Sequence, residues 1–132
     1  MDRTEIDKIR EMFSHDRYAT EAGAVIEAVD DNYAKCSLII NEHHKNAVGG
    51  VMGGVYFTLA DFAFAVATNW KNPGTVSLNA DISFVGVPKT EKIIAETELI
   101  KDGRTIPCYN VRISDEIGNI CAIIKFVGFK KN

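Results

Sequence analysis

At 132 residues, with 46% hydrophobic and 25% charged positions, the chain has the composition of one globular domain, long enough for a real core and short for two. A net charge of -3 with the signs interspersed offers no broad basic field, which argues against a nucleic-acid partner. The opening MDRTEIDKIR has no apolar run of signal-peptide length, and no later segment has the length and uniformity of a membrane span, so the expectation is a cytoplasmic protein with no membrane partner.

Taken in order, the first twenty residues predict an amphipathic helix. Thr4 stands as a candidate cap with Asp7 three residues on, and Ile6, Ile9, Met12 and Phe13 fall on one face. Tyr18-Ala19-Thr20 and Gly23 are expected to end it. AVIEAVDD and YAKCSLII then read as two strands joined by a turn at Asp30-Asp31-Asn32. A polar loop follows, carrying His43 and His44, which are adjacent in sequence and without a cysteine or acid at metal spacing, so no metal site is expected.

The stretch from Asn46 to Trp70, NAVGGVMGGVYFTLADFAFAVATNW, dominates the chain. Two glycine pairs, Gly49-Gly50 and Gly53-Gly54, give way to about four turns of apolar residues of helical composition. Val55, Phe57, Leu59, Phe62, Phe64 and Val66 are spread over every face, so the helix must be buried on most sides, which a small domain achieves by curling a sheet around it. Asp61 is the only formally charged residue between Lys45 and Lys71, and an ionised carboxylate there is unfavourable unless compensated.

Asn72-Pro73-Gly74 stops the helix, and four strand-like segments follow: TVSLNADISFVGV, KIIAETELIKD, TIPCYNVRISD and NICAIIKFVGF. Asp102-Gly103 is a hairpin signal between the second and third. Six strands with one long buried helix define an α+β domain spanning 1–132. Cys36, Cys108 and Cys121 are odd in number, lack the spacing of a zinc or redox pair, and read as free thiols.

These residues resemble the hotdog-fold acyl-CoA thioesterases, in particular the phenylacetate-degradation (PaaI-like) type. That pattern has an asparagine, a glycine-rich turn ending in His-Gly-Gly, and an acid eight positions after the first glycine of the pair; Asn46, Gly49, Gly53, Gly54 and Asp61 stand at the matching spacings. PGTVSLNADISFVGVP is similar to the family's third strand. Met52 departs from the pattern, standing where histidine is usual. The resemblance implies a curved antiparallel sheet wrapped round one central helix, and hydrolysis of an acyl-CoA to free acid and coenzyme A. Coenzyme A enters only as part of the substrate, and no other cofactor is implied.

Under that reading the positive end of the helix dipole, at the Gly53 N-H, suits a carbonyl oxygen that becomes negative in the transition state. Asp61 would be the base, its pKa raised by desolvation, with a nucleophile role left open. Asn46 would position a water or fix the acid. Met52, Gly54, Phe62, Ser77 and Phe84 are expected to shape the acyl pocket, Val85 and Gly86 to meet the pantetheine arm, and Lys89 to meet the phosphates of coenzyme A. His44 stands close enough in sequence to Asn46 to replace the missing histidine.

Eight residues of helix separate Gly53 from Asp61 by ~12 Å at ~1.5 Å per residue, too far for one carbonyl to use both. Two antiparallel copies of the helix would bring them together, so the spacing and the resemblance both imply a homodimer with shared sites, which can pair into a dimer of dimers. Two alternatives stand beside this: a hotdog protein that binds an acyl-CoA or apolar ligand without turnover, and a hotdog hydratase or dehydratase. The second lacks its acid-histidine pair.

Overall fold

In the computed structural model, which describes residues 1–131, helix α1 spans Arg3–Phe13. Its cap is Asp2 rather than Thr4, because the Asp2 carboxylate accepts the Glu5 N-H at 2.9 Å. Ile9 and Phe13, four apart, are buried, while Met12 lies half-exposed off that seam. The Arg10 guanidinium donates to the Ile26 carbonyl through Nε and Nη2, at 3.1 and 2.8 Å, which fastens α1 to the first strand. Where one helix end was expected, a second short helix, α2 (Arg17–Ala22), begins, and Gly23 closes it in the left-handed conformation at φ 113°.

The strands are β1 (Val25–Asp30), β2 (Tyr33–Ile39), β3 (Thr75–Phe84), β4 (Lys92–Asp102), β5 (Pro107–Asp115) and β6 (Ile120–Lys130), all within a residue or three of their predicted bounds. They form one antiparallel sheet in the order β1-β2-β4-β5-β6-β3. The chain therefore places β3 at the far edge, beside β6, before returning to the middle with β4. Among the described residues only β6 pairs with β3, so one edge of β3 is open.

Helix α3 (Gly53–Asn69) runs across the concave face of the sheet. The all-round apolar composition has the expected consequence: Leu59, Ala60, Ala63 and Val66 are fully enclosed, and Phe64 stacks on Phe126 at 4.6 Å and meets Tyr109 edge-on at 5.5 Å. Each such aromatic contributes about 1.5–3 kcal/mol by burial. The half-exposed positions Thr58, Asp61, Ala65 and Thr68 recur at spacings of three and four, so the helix keeps one narrow stripe uncovered. Asp61 lies on that stripe. Cys36 and Cys121 are buried and Cys108 partly so, all three as free thiols.

Candidate active site

The loop before α3 is built by Asn46. Its side-chain oxygen accepts the N-H groups of Val48 and Gly50 at 3.1 and 3.0 Å, while its own N-H donates to the Gly50 carbonyl at 2.7 Å. This side chain thus folds the glycine turn upon itself, a positioning task different from holding a water or the acid. The Met52 N-H donates to the His44 carbonyl at 2.9 Å, and the chain then enters the helix at Gly53.

Met52 occupies the N-cap and supplies no side-chain hydrogen bond, as a thioether in place of a hydroxyl or carboxylate dictates. The amides of Gly53 and Gly54 consequently have no acceptor among the described residues. Phe84, at the end of β3 and 57% exposed, leans over them. A Cβ on Gly53 would stand 2.9 Å from the Phe84 ring, so glycine is what lets the ring and the helix end approach. Met52 itself is 52% exposed, with its methyl group against Gly54. An uncapped helix end with free amides and an apolar rim can receive an oxygen that carries or develops negative charge.

Two turns on, burial pushes the Asp61 carboxyl above the ordinary aspartate range; the charge of Asp16, at the start of α2, adds to this, and the neighbouring Ser77 hydroxyl on β3 opposes it. Ser77 is thus beside the acid. The structure assembles two groups of expected residues on opposite sides of that interval: Met52, Gly53, Gly54 and Phe84 at the helix end, and Asp61 with Ser77 further along. Within one chain the two groups do not meet.

Phe62 is a correction. It is 2% exposed and packs edge-on to Phe13 at 6.2 Å, so it belongs to the core under α1. His44 is another. Its Nδ1 accepts the Asn41 N-H at 2.9 Å and its Nε2 donates to the Ala22 carbonyl at 2.6 Å, so the ring fastens the loop to the end of α2 and has no nitrogen left for chemistry. Among the described residues no group of three or more His, Cys, Asp or Glu could hold a metal ion.

Val85 and Gly86 follow β3 and both donate N-H groups to the Cys121 carbonyl, at 2.9 and 3.1 Å. Gly86 passes so close to β6 that a Cβ would lie 2.3 Å from the Ile120 oxygen. Lys89 is exposed, and its backbone N-H donates to Asp115 Oδ2 at 2.8 Å.

Asp115 is the organising residue that sequence reasoning missed. Its other oxygen accepts the N-H groups of Ile117 and Asn119 at 3.1 and 2.9 Å, and Asn119 in turn donates to the Val87 carbonyl at 2.5 Å. Burial alone would raise its pKa, but the backbone N-H groups of Lys89, Asn119 and Ile117 outweigh it and hold the carboxyl below the ordinary value. A depressed folded pKa means that the stabilisation is complete above the unfolded value, ~3.9, and is lost as pH falls through the folded one. Asp115→Asn is therefore expected to lower the Tm at pH 7 and to lose less on acidification below pH ~4 than wild type, as thermal melts across that range will show.

Beside the helix end a cleft of about 330 Å³ opens between α2 and α3, its lining including Tyr18, Leu38, Met52, Gly54, Val55 and Thr58. A larger cavity of about 700 Å³ lies at the other end of α3, around Trp70, Asn72 and Lys130, and touches neither Gly53 nor Asp61.

A curved antiparallel sheet holding one long helix on its concave face, with a glycine turn feeding that helix, is a hotdog fold. The solved E. coli PaaI protein from the phenylacetic acid degradation operon superposes with a TM-score of 0.88, at 21% identity, over 97% of this chain and 94% of that one. A hypothetical thioesterase of Streptococcus pneumoniae, solved with coenzyme A, gives 0.80 at 21% identity over 89% and 94%. In sequence, an Archaeoglobus fulgidus protein provisionally named an esterase is 24% identical over 96% of this chain and 84% of its own length. The model of the thioesterase superfamily matches residues 48–122, more than half of the chain, including all of α3 with β3, β4 and β5. The chain belongs to that superfamily.

Proposed function

We propose that the protein is an acyl-CoA thioesterase, hydrolysing an acyl-CoA to a free acid and coenzyme A at a site shared by two protomers. One observation carries this reading: an uncapped helix end with two free amides, and a half-buried acid of raised pKa on the same helix, ~12 Å apart at ~1.5 Å per residue and so too far for one carbonyl to use both. The open edge of β3, with Leu78 and Phe84 exposed along it, supports self-association, because an unpaired apolar strand edge is seldom left bare.

In this mechanism the thioester carbonyl lies against the Gly53 amide of one protomer, and Asp61 of the other removes a proton from water. The water oxygen bonds to the carbonyl carbon, and the negative charge gathers on the oxygen held at the helix end. Collapse breaks the carbon-sulfur bond. Coenzyme A leaves as the thiolate and takes up the proton that Asp61 removed from water, and the acid gives its own proton to solvent and departs ionised.

Asn46 keeps the turn in shape and Ser77 orients Asp61. Gly54 and Met52 border the carbonyl, and Phe84 excludes water over it. Val85 and Gly86 receive the pantetheine arm, whose nucleotide phosphates reach Lys89. The coenzyme A found in the S. pneumoniae protein's structure supports a coenzyme A thioester as the substrate.

Free thiol release from a panel of acyl-CoAs, assayed with EDTA present, tests the reading. Thiol release that disappears in Asp61→Ala supports it. Binding of acyl-CoA with no release by wild type would instead establish a binding protein, the reading that Met52 in place of a histidine favours. A covalent acyl adduct on Asp61, sought by mass spectrometry with a slow substrate, would convert the base into a nucleophile.

A further inference from the structure

Resting on the thioesterase reading, we propose that the acyl group occupies the cleft between α2 and the first two turns of α3, and that Tyr18 and Val55 set the size it admits. The cleft shares Met52 and Gly54 with the helix end. A carbonyl oxygen placed on the free amides therefore has an opening directly beside it. On the other side, Phe84 presses against Gly53 closely enough that not even a methyl group would fit between them. The cleft is the opening that the acyl chain meets without moving Phe84.

Leu38, Val55 and the Met52 side chain give the lining its apolar part, and Glu21, His43 and Thr58 add polar groups. His44 also borders it but presents no free nitrogen, since both are spent on Asn41 and Ala22. Tyr18 is 78% exposed, an aromatic that buries little within the protomer and stands at the cleft wall. A volume of about 330 Å³, at ~30 Å³ for a water-sized unit, takes on the order of ten non-hydrogen atoms. A short acyl chain or a single ring fits; a long fatty acyl chain does not. One wall is made by α2, which precedes the stretch 48–122 matched to the superfamily, and the other by Val55 within it, so the two size-setting residues come from different parts of the chain.

The test is kcat/KM for saturated acyl-CoAs of two to sixteen acyl carbons, for wild type, Val55→Phe and Tyr18→Ala. Wild type is expected to peak at about eight carbons or fewer and to fall at least ~10-fold by sixteen, since a methylene mismatched to a hydrophobic pocket is worth about tenfold or more and those beyond the cleft's volume have no place in it. Val55→Phe should lower the octanoyl-to-acetyl ratio at least ~10-fold. Tyr18→Ala, a truncation at an exposed position with little bearing on folding, should raise the hexadecanoyl-to-octanoyl ratio. Ratios unchanged in both variants overturn the proposal. Should wild type cleave no thioester, the thioesterase reading itself falls, and calorimetric binding decides the pocket: an octanoyl-to-acetyl affinity ratio that Val55→Phe lowers sustains it, and one that stays constant overturns it.

Discussion

Asp61→Asn is expected to lower kcat/KM by about 10²–10⁴-fold, the range for loss of a general base, while leaving the Tm unchanged or raising it. The two halves follow from the same cause. Burial, with Asp16 adding to it, makes the ionised carboxylate less favourable in the folded chain than in water. A raised folded pKa means that folding stability falls as pH rises from the ordinary aspartate value, ~3.9, to the folded one, and stays lower above it. An asparagine of equal size carries no charge to desolvate, retains an oxygen for Ser77, and cannot take a proton from water.

An acid that served only to pair with a group across an interface would behave oppositely, costing stability on removal and leaving turnover intact. The wild-type pH profile adds an independent measure. The acidic limb of kcat/KM should lie above the ordinary aspartate value, and activity should fall as pH drops through it. A limb at or below ~3.9 would deny Asp61 the role.

The central helix was legible because three signals coincide there: glycine pairs at its start, apolar residues on every face, and one lone charge. That same completeness hid the pocket. On a helix apolar all round, periodicity cannot tell which aromatic meets the core, so Phe62 was expected in the acyl pocket although it packs on Phe13, while Val55 borders the cleft. The strands could be read from turn signals and β-rich composition, but β3 is no poorer in apolar residues than the inner strands β4 and β5, and its edge position follows only from the order of pairing.

The break between α1 and α2 falls at Ser14 to Asp16, with no glycine or proline to announce it, and Gly23 marked only the last end. His44 and Asp115 illustrate a further limit. Both act on backbone groups: His44 joins Asn41 to Ala22, and Asp115 joins Lys89 to the turn after β5. Side-chain identity reveals such a role only once the fold has brought those backbone groups near.

Gly53→Pro isolates the other half of the chemistry. Proline at the first helical position keeps the helix, because its missing N-H is one that no intrahelical carbonyl would accept and its fixed φ suits the first turn. Met52, with φ -65° and ψ 138°, already has the extended conformation required before proline. The ring must displace Phe84, whose exposed side chain has solvent to move into. What disappears is one amide donor, and kcat should fall about 10²–10³-fold, as for other oxyanion donors. Mixing then tests where the site lies. In a heterodimer of Gly53→Pro with Asp61→Asn, one shared site carries both lesions and the other carries neither. Coexpression of the two chains in equal amounts makes half of the dimers mixed, so about a quarter of wild-type activity should return. A site completed within one protomer would recover nothing, since every copy would hold one lesion.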